Sequence, residues 1–221
     1  VRNSTLRANR AERGAALLMT GGRASLVSTL MEDNEARVEG GAIHVDGGEL
    51  ELGHETLLRR NRAPAEMGAS LSFVAGAVQY HLPAPIGRWT FVAVPGNLLS
   101  HVAPPTIIDA DYPFACSPGV VGGTLDPLHQ AGPQCERPCP GGYMCPSATV
   151  VPRPCRAGTF CPTGSPAGVT CPEGTYGDEE RLQSDEQCLS CPPGHWCTGG
   201  NKIPCGEDTY IAAGTSTPST I

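Results

Sequence analysis

The chain has 221 residues, among them 28 glycines, 22 prolines and 11 cysteines, with 5% aromatic and 17% charged residues and a formal net charge of -7. This composition argues against one large globular core and for a loop-rich, repetitive chain of one or two domains. The basic residues are almost all arginine and form no phosphate-tracking cluster, which makes nucleic acid a poor partner, and no apolar run reaches the roughly 18 residues of a transmembrane helix.

Taken from the start, the chain writes one unit about three times, over Ser4–Val27, Ser28–Leu52 and Glu55–Tyr80, at a spacing of roughly 25 residues that belongs to solenoids. The copies share an apolar residue three before an asparagine (Leu6–Asn9, Met31–Asn34, Leu58–Asn61) and an alanine two after it (Ala11, Ala36, Ala63). A small-residue turn follows at Gly14-Ala15, Gly40-Gly41-Ala42 and Gly68-Ala69, and the first two copies add glycine pairs at Gly21-Gly22 and Gly47-Gly48. Ala42-Ile43-His44-Val45, Glu49-Leu50-Glu51-Leu52 and Ala69-Ser70-Leu71-Ser72-Phe73 alternate apolar and polar, as half-buried strands do. One such coil cannot bury its apolar face alone, whereas stacked coils make a continuous core. Asn9, Asn34 and Asn61, recurring at one register, are expected to form a side-chain ladder, because a buried unpaired amide costs about 1–3 kcal/mol. A leucine-rich repeat would use Leu50, Leu52, Leu58 and Asn61, but its earlier leucines are missing and the glycine pairs are foreign to it.

Leu/Met-x-x-Asn followed by Gly40-Gly41-Ala42-Ile43 resembles the repeat of the chlamydial polymorphic outer-membrane proteins, Phe-x-x-Asn with Gly-Gly-Ala-(Ile/Leu/Val). The resemblance covers residues 4–80. The middle copy carries the full motif, and leucine or methionine stands in place of phenylalanine throughout. It implies a right-handed parallel β-helix of about three coils, of the kind found in surface adhesins. A β-helix polysaccharide enzyme is the remote alternative, with His44, Asp46, Glu49 and Glu51 offering carboxylates on adjoining strands. Charged residues on the outer face of a β-helix are ordinarily just solvated, and no Gly-x-Ser-x-Gly, His-Glu-x-x-His or phosphate loop is present.

Residues 83–132 form a Pro/Gly-rich closing segment and linker. Thr90–Gly96 reads either as an edge strand closing the solenoid, with Trp89 covering apolar surface, or as part of a linker. Pro104 through Gly119 is punctuated by turn formers and is expected to be irregular.

The cysteines begin at Cys116, and this composition break marks the domain boundary. Over 133–221 a seven-residue unit recurs at Cys139–Cys145, Cys155–Cys161 and Cys191–Cys197, and without its closing cysteine at Cys171–Gly177 and Cys205–Ile211. Phe160, Tyr176, Trp196 and Tyr210 hold one position of it, and Tyr143 lies one place early. These rings can stack over a neighbouring disulfide or the next aromatic. Such a unit has too few apolar residues to fold by burial, so cross-links must hold it, at about 2–4 kcal/mol each. Zinc competes for the thiols at Cys188-x-x-Cys191 and Cys135-x-x-x-Cys139. The even spacing with Pro-x-Gly-x-aromatic filling favours disulfides for Cys116, Cys135, Cys139, Cys145, Cys155, Cys161, Cys171, Cys188, Cys191, Cys197 and Cys205. A redox role for Cys188 and Cys191 lacks its βαβ setting.

The stretch Cys135–Tyr210 resembles the ephrin-receptor-like, growth-factor-receptor-type cysteine-rich repeat, also seen in tumour-necrosis-factor-receptor-like modules. Cys171-Pro-Glu-Gly-Thr-Tyr through Gln187-Cys188-Leu-Ser-Cys191-Pro-Pro-Gly carries the match. It implies an extracellular, disulfide-bonded stalk or ligand-binding ectodomain, and Cys171–Cys188 as a bonded pair; it brings no kinase motif. Eleven is odd, and the partner of Cys205 is expected beyond Ile221.

Asn3-Ser4-Thr5 is a glycosylation sequon, and Gly214–Thr220 reads as a Ser/Thr-rich linker or O-glycosylated spacer. The repeat under way at Ser4 and the cysteine motif opening at Cys205 fit a piece of a larger mosaic protein. The expectation is an all-β chain: β-helix repeats over 1–82, the closing segment over 83–132, and a disulfide-rich module string with little secondary structure over 133–221. Its function is expected to be non-enzymatic, structural or adhesive, outside the cell or at its surface, with no cofactor and with a protein or glycan ligand. Membrane attachment would come only through other parts of the protein. The alternative is a receptor ectodomain that binds its ligand through the cysteine-rich repeats.

Overall fold

The structure, a computed structural model, describes residues 1–91, 99–206, 209–210 and 219–220. Its contacts divide it into two units, Val1–Cys116 with Gly122–Cys135, and Ser117–Val121 with Glu136–Ile221. Among the described residues it is all strand and turn, with two short 3-10 turns at Pro127–Gln130 and Asp185–Gln187. Among the described residues no helix is long and apolar enough to cross a membrane.

The first unit is a parallel β-helix of about three coils, as the repeat predicts. Its strands are β1 (Arg2–Arg7), β2 (Arg10–Arg13), β3 (Leu17–Met19), β4 (Arg23–Glu32), β5 (Glu35–Glu39), β6 (Ile43–Leu52), β7 (Leu57–Arg59) and β8 (Leu71–His81). They stack as three parallel sets: β1 on the second half of β4 on β7; β2 on β5; and β3 and the first half of β4 on β6 on β8. Equivalent side chains superpose, so Leu6, Met31 and Leu58 form one inner column, Leu17, Ile43 and Leu71 a second, and Leu26, Leu52 and Tyr80 a third. Met31, Ile43, Leu52, Leu58 and Leu71 are fully buried, each side chain contributing roughly 1.5–3 kcal/mol.

Corners are set by left-handed residues in register. Ala8, Asp33 and Arg60 have φ of 55°, 55° and 52°, immediately before the three asparagines. Gly14, Gly40 and Gly68 turn the next corner at 52°, 65° and 74°. Adding a Cβ to Gly40 would place it 2.5 Å from the Ile43 carbonyl oxygen, so the small-residue turn of the repeat is a steric requirement.

Beyond β8 the chain reverses. Here β9 (Arg88–Trp89) is followed by β10 (Leu99–Val102) and β11 (Thr106–Ile108), which both pair antiparallel with β8, and by β12 (Phe114–Ala115), which pairs with β9. The stretch Pro104–Gly119 is therefore not wholly irregular: Thr106 and Ile108 lie opposite Phe73 and Leu71 and close the exposed edge of β8. Trp89 packs on Phe114 at 4.7 Å, and Phe114 meets Tyr112 edge-on at 5.3 Å. Thr90 and Phe91 are described, while most of the run to Gly96 lies outside the described residues.

The second unit is a series of two-stranded ribbons. They are β13 (Val120–Val121) with β14 (Arg137–Pro138), β15 (Tyr143–Met144) with β16 (Arg153–Pro154), β17 (Thr159–Phe160) with β18 (Val169–Thr170), β19 (Thr175–Tyr176) with β20 (Leu189–Ser190), and β21 (His195–Thr198) with β22 (Asn201–Pro204). Four are entered by the same turn, in which the N–H of Tyr143, Thr159, Thr175 or His195 bonds the carbonyl three residues back. Gly142, Gly158, Gly174 and Gly194 supply φ near +80° (81°, 82°, 79° and 77°), the type II geometry that accounts for the Cys-x-x-Gly spacing. Successive modules are tied together: the N–H of Gly142 bonds the Cys161 carbonyl at 2.8 Å, that of Gly158 the Gly177 carbonyl at 2.7 Å, and that of Gly174 the Cys197 carbonyl at 3.3 Å.

Candidate functional site

The residues singled out by the repeat meet along the side of the solenoid. Asn34 Nδ2 donates to Asn61 Oδ1 at 2.9 Å and to the Leu6 carbonyl at 2.9 Å, while its backbone N–H reaches the same Asn61 oxygen at 3.0 Å. Asn9 repeats the pattern onto Asn34, with its backbone N–H at 3.1 Å and Nδ2 at 2.9 Å. Asn61 Nδ2 ends on the Met31 carbonyl at 3.0 Å. Asn34 and Asn61 are buried and Asn9 is exposed. The ladder satisfies amides that the neighbouring left-handed corner removes from the strand pattern.

Outside the ladder, charge alternates from coil to coil. Arg7, Glu32 and Arg59 share one column, and Arg10, Glu35 and Arg62 share another. The Glu32 side chain, 8% exposed, lies 3.5 Å from Arg7, 2.9 Å from Arg59 and 2.7 Å from Arg60. Asp33 takes Arg60 at 3.0 Å and Arg7 at 3.2 Å, and the Arg60 guanidinium, with Arg7 behind it, holds its carboxyl below the usual carboxylate range. Arg10–Glu35 at 3.2 Å, Arg13–Glu39 at 3.2 Å and Arg23–Glu49 at 2.6 Å continue the zipper. An isolated exposed pair contributes about 0–1 kcal/mol, but a network around a desolvated carboxylate holds its members in fixed positions.

Two of the grooves on this unit bear on these residues. One of about 410 Å³ is lined by Ala8, Arg10, Asp33, Glu35, Arg60 and Arg62, so its walls carry both signs of charge. The other, of about 500 Å³, is mostly apolar and is lined by His54, Glu55, Pro83, Ala84, Pro85, Ile86 and Leu125.

The four residues considered for glycoside chemistry do not share one environment. His44 is buried, with Nδ1 3.8 Å from Glu39 and no hydrogen-bond partner. Asp46 is exposed, Glu49 is held by Arg23, and Glu51 is half-buried beside Glu49 in a groove of about 150 Å³. Asn3 is exposed at a corner of β1 with φ of 47°.

In the second unit and at its border ten cysteines bond in sequential order: Cys116–Cys135, Cys139–Cys145, Cys155–Cys161, Cys171–Cys188 and Cys191–Cys197. Cys188 and Cys191, which have zinc-like spacing, are thus spent in two different bonds, as are Cys135 and Cys139. Cys205, counted above with the disulfide cysteines, has no partner among the described residues: the other ten take one another, and eleven leaves one over. The sixth residue after the first cysteine is the bonded cysteine in the short loops and glycine, Gly122 or Gly177, in the long ones. A Cβ on Gly122 would fall 2.5 Å from Cys116 Sγ, so the position that lacks sulfur is kept empty for one. Ring contacts in this unit involve cations as well as disulfides. Arg181 lies 5.3 Å over Tyr143 and Lys202 lies 4.3 Å over Tyr176, while Tyr143 also packs against the buried cluster of Val121, Cys139 and Cys145.

Several structural positions escaped the sequence reading. Gly76, with φ of 108°, completes the second glycine column behind Gly22 and Gly48; in the third copy its pair partner has become Ala75. Cys116-Ser117-Pro118-Gly119 opens a further cysteine module. Gln130, 2% exposed, bonds Ala84 through both side-chain atoms at 2.7 Å, and no motif marks it. The chain matches no protein-family model, and a search of curated proteins gives no match.

Proposed function

We propose that this chain is a non-enzymatic structural and adhesive part of an extracellular or cell-surface protein, in which a charge-zipped β-helix presents a rigid face and a disulfide-rich stalk carries it. The observation that carries the reading is the run of five consecutive disulfides, which fits an oxidising compartment outside the cytosol. Each module has little apolar core of its own and is stapled instead, as a stalk in that compartment needs to be. The likeness of residues 4–80 to chlamydial polymorphic outer-membrane repeats and of 135–210 to ephrin-receptor-like repeats supports the same assignment. A protein or glycan ligand would meet the mixed-charge groove of the solenoid, whose arginines and carboxylates are held in place by one another.

A receptor ectodomain is the second reading. It is favoured by Val169 and Leu189, both 49% exposed, which occupy equivalent places two residues before Cys171 and Cys191. The test is attachment of particles coated with the chain to cells and glycan surfaces, compared with the soluble monomer. Attachment that needs many copies per particle and weakens with salt supports adhesion. Saturable, salt-insensitive binding of the monomer replaces it with the receptor, and cleavage of pectin-like polymers that Asp46→Asn abolishes replaces it with the enzyme.

A further inference from the structure

The closing segment after β8 helps to shape the apolar groove of about 500 Å³, which shares no residue with the mixed-charge groove. Its size and mostly apolar lining are those of a small-molecule site. Pro83, Ala84 and Pro85 line it along one run of chain. Ile86 and Leu125, 46% and 55% exposed, bring aliphatic side chains from two segments distant in sequence. The groove is held in shape by the protein itself. Gln130 accepts the Ala84 N–H and donates to the Ala84 carbonyl, both at 2.7 Å, and the Pro85 carbonyl accepts the Arg88 N–H at 3.1 Å.

The carboxylate of this groove is Glu55. It stands at a left-handed corner, with φ of 60°, in register with Ser28 at 48°, and its Oε2 accepts the Ser28 hydroxyl at 3.1 Å. The next residue, Thr56, is buried and its carbonyl takes the Tyr80 hydroxyl, so the corner is anchored in the core. Glu32, Asp33, Glu35, Glu39 and Glu49 each face an arginine. Glu55 has a hydroxyl as its partner instead, and no cation lies within ion-pair distance of it among the described residues. His54 lines the groove beside it, with its ring edge-on to His81 at 6.0 Å.

This lining selects its ligand. A peptide main chain finds few partners, because Pro83 and Pro85 carry no N–H and both main-chain groups of Ala84 are engaged by Gln130. A sugar finds no aromatic face among the lining residues and too few polar groups to replace the water around its hydroxyls. A fatty acid would set its carboxylate against that of Glu55. We infer that the groove binds a small amphiphilic amine, its hydrocarbon body packed on the prolines with Ile86 and Leu125, and its ammonium donating to Glu55 Oε1, the oxygen that Ser28 does not take. The groove thereby adds a small-ligand site to a chain otherwise read as structural and adhesive.

The experiment titrates the full chain with octylammonium, octanol and octanoate, all below micelle-forming concentrations, by calorimetry and by the NMR signals of the His54 imidazole. Octylammonium is expected to saturate one site per chain and to shift those signals, with octanol bound about fivefold more weakly and octanoate not at all. Each CH₂ removed between octyl and butyl should weaken binding by about fourfold. Glu55→Gln should bring octylammonium down to the level of octanol, Ile86→Asn/Leu125→Asn should weaken both, and Glu66→Gln, at another exposed acid, should change neither. Four results would overturn the inference: no saturable binding, equal binding of amine and alcohol to the natural chain, saturation that leaves the His54 signals unmoved, or a loss with Glu66→Gln as large as with Glu55→Gln. The last would reduce the effect to attraction of any cation to a chain of net charge -7. Saturation by a leucine–lysine peptide amide where octylammonium fails would overturn it too, assigning the groove to a protein partner.

Discussion

Asn34 and Asn61 share two hydrogen bonds through one oxygen, Oδ1 of Asn61, which accepts both the side-chain Nδ2 and the backbone N–H of Asn34 at 2.9 and 3.0 Å. Because Asn34 is wholly buried and also serves Asn9 and Leu6, Asn34→Ala leaves several polar groups without partners. A loss of about 2–4 kcal/mol is expected in chemical denaturation, against about 0.5 kcal/mol for Asn9→Ala at the exposed end of the ladder. Equal losses at the two positions would mean that the asparagines do not act as a ladder.

Glycine is required at Gly40 but not at Gly21. Gly40 has φ of 65° and no room for a Cβ, whereas a Cβ on Gly21 meets nothing within 4 Å. Gly40→Ala should cost about 2 kcal/mol or more, and Gly21→Ala should be close to neutral. Denaturation midpoints of the two variants measure the difference.

These two positions also show which parts of the structure are legible in the sequence. The ladder and the first glycine column are, because stacking forces equivalent residues to recur at one spacing, and Asn9, Asn34 and Asn61 do. The alternating charges were equally present in Arg7, Glu32 and Arg59, but they become a pattern only when the strand register is known. Gly76 was hidden because the third coil is longer and has lost one glycine of the pair. The antiparallel closure by Leu99–Val102 and Thr106–Ile108, and the clasp of Gln130 on Ala84, depend on contacts between distant segments used once, and a single occurrence leaves no period to find. The cysteine modules are legible for the reason the coils are, whereas Cys116 escapes because its unit lacks both the aromatic and the closing cysteine.

The charge zipper should show graded sensitivity. Glu32 is desolvated among three arginines, so Glu32→Ala is expected to cost about 1–2 kcal/mol, while Arg10→Ala, at an exposed pair, stays within about 0.5 kcal/mol. Salt should weaken the natural chain more than the Glu32 variant. Asp33 adds a pH signature. Its carboxyl is held below the ordinary range by Arg60, so its contribution is present above the ordinary carboxylate pKa and fades as pH falls through the lowered value. Thermal melts against salt at neutral and acid pH read both effects.

Tyr80 sets the alkaline limit of the solenoid. Its hydroxyl donates to the Thr56 carbonyl at 2.8 Å inside the core, and burial pushes its pKa far above the ordinary tyrosine value of 10.0. The unfolded chain releases this proton near that value and the folded chain keeps it. Stability is therefore full below about pH 10 and falls as pH rises beyond it. Tyr80→Phe should be less stable at neutral pH, because Thr56 loses its donor, yet should show a shallower alkaline loss.

The central claim is that the cysteine region is a chain of sequential staples belonging to an oxidising compartment. Disulfide mapping with a free-thiol count and metal analysis on native, unreduced protein tests it most directly. The account predicts one free thiol at Cys205, no stoichiometric metal, and the five bonds Cys116–Cys135, Cys139–Cys145, Cys155–Cys161, Cys171–Cys188 and Cys191–Cys197. Many free thiols with bound zinc, or bonds that cross between modules, would contradict it.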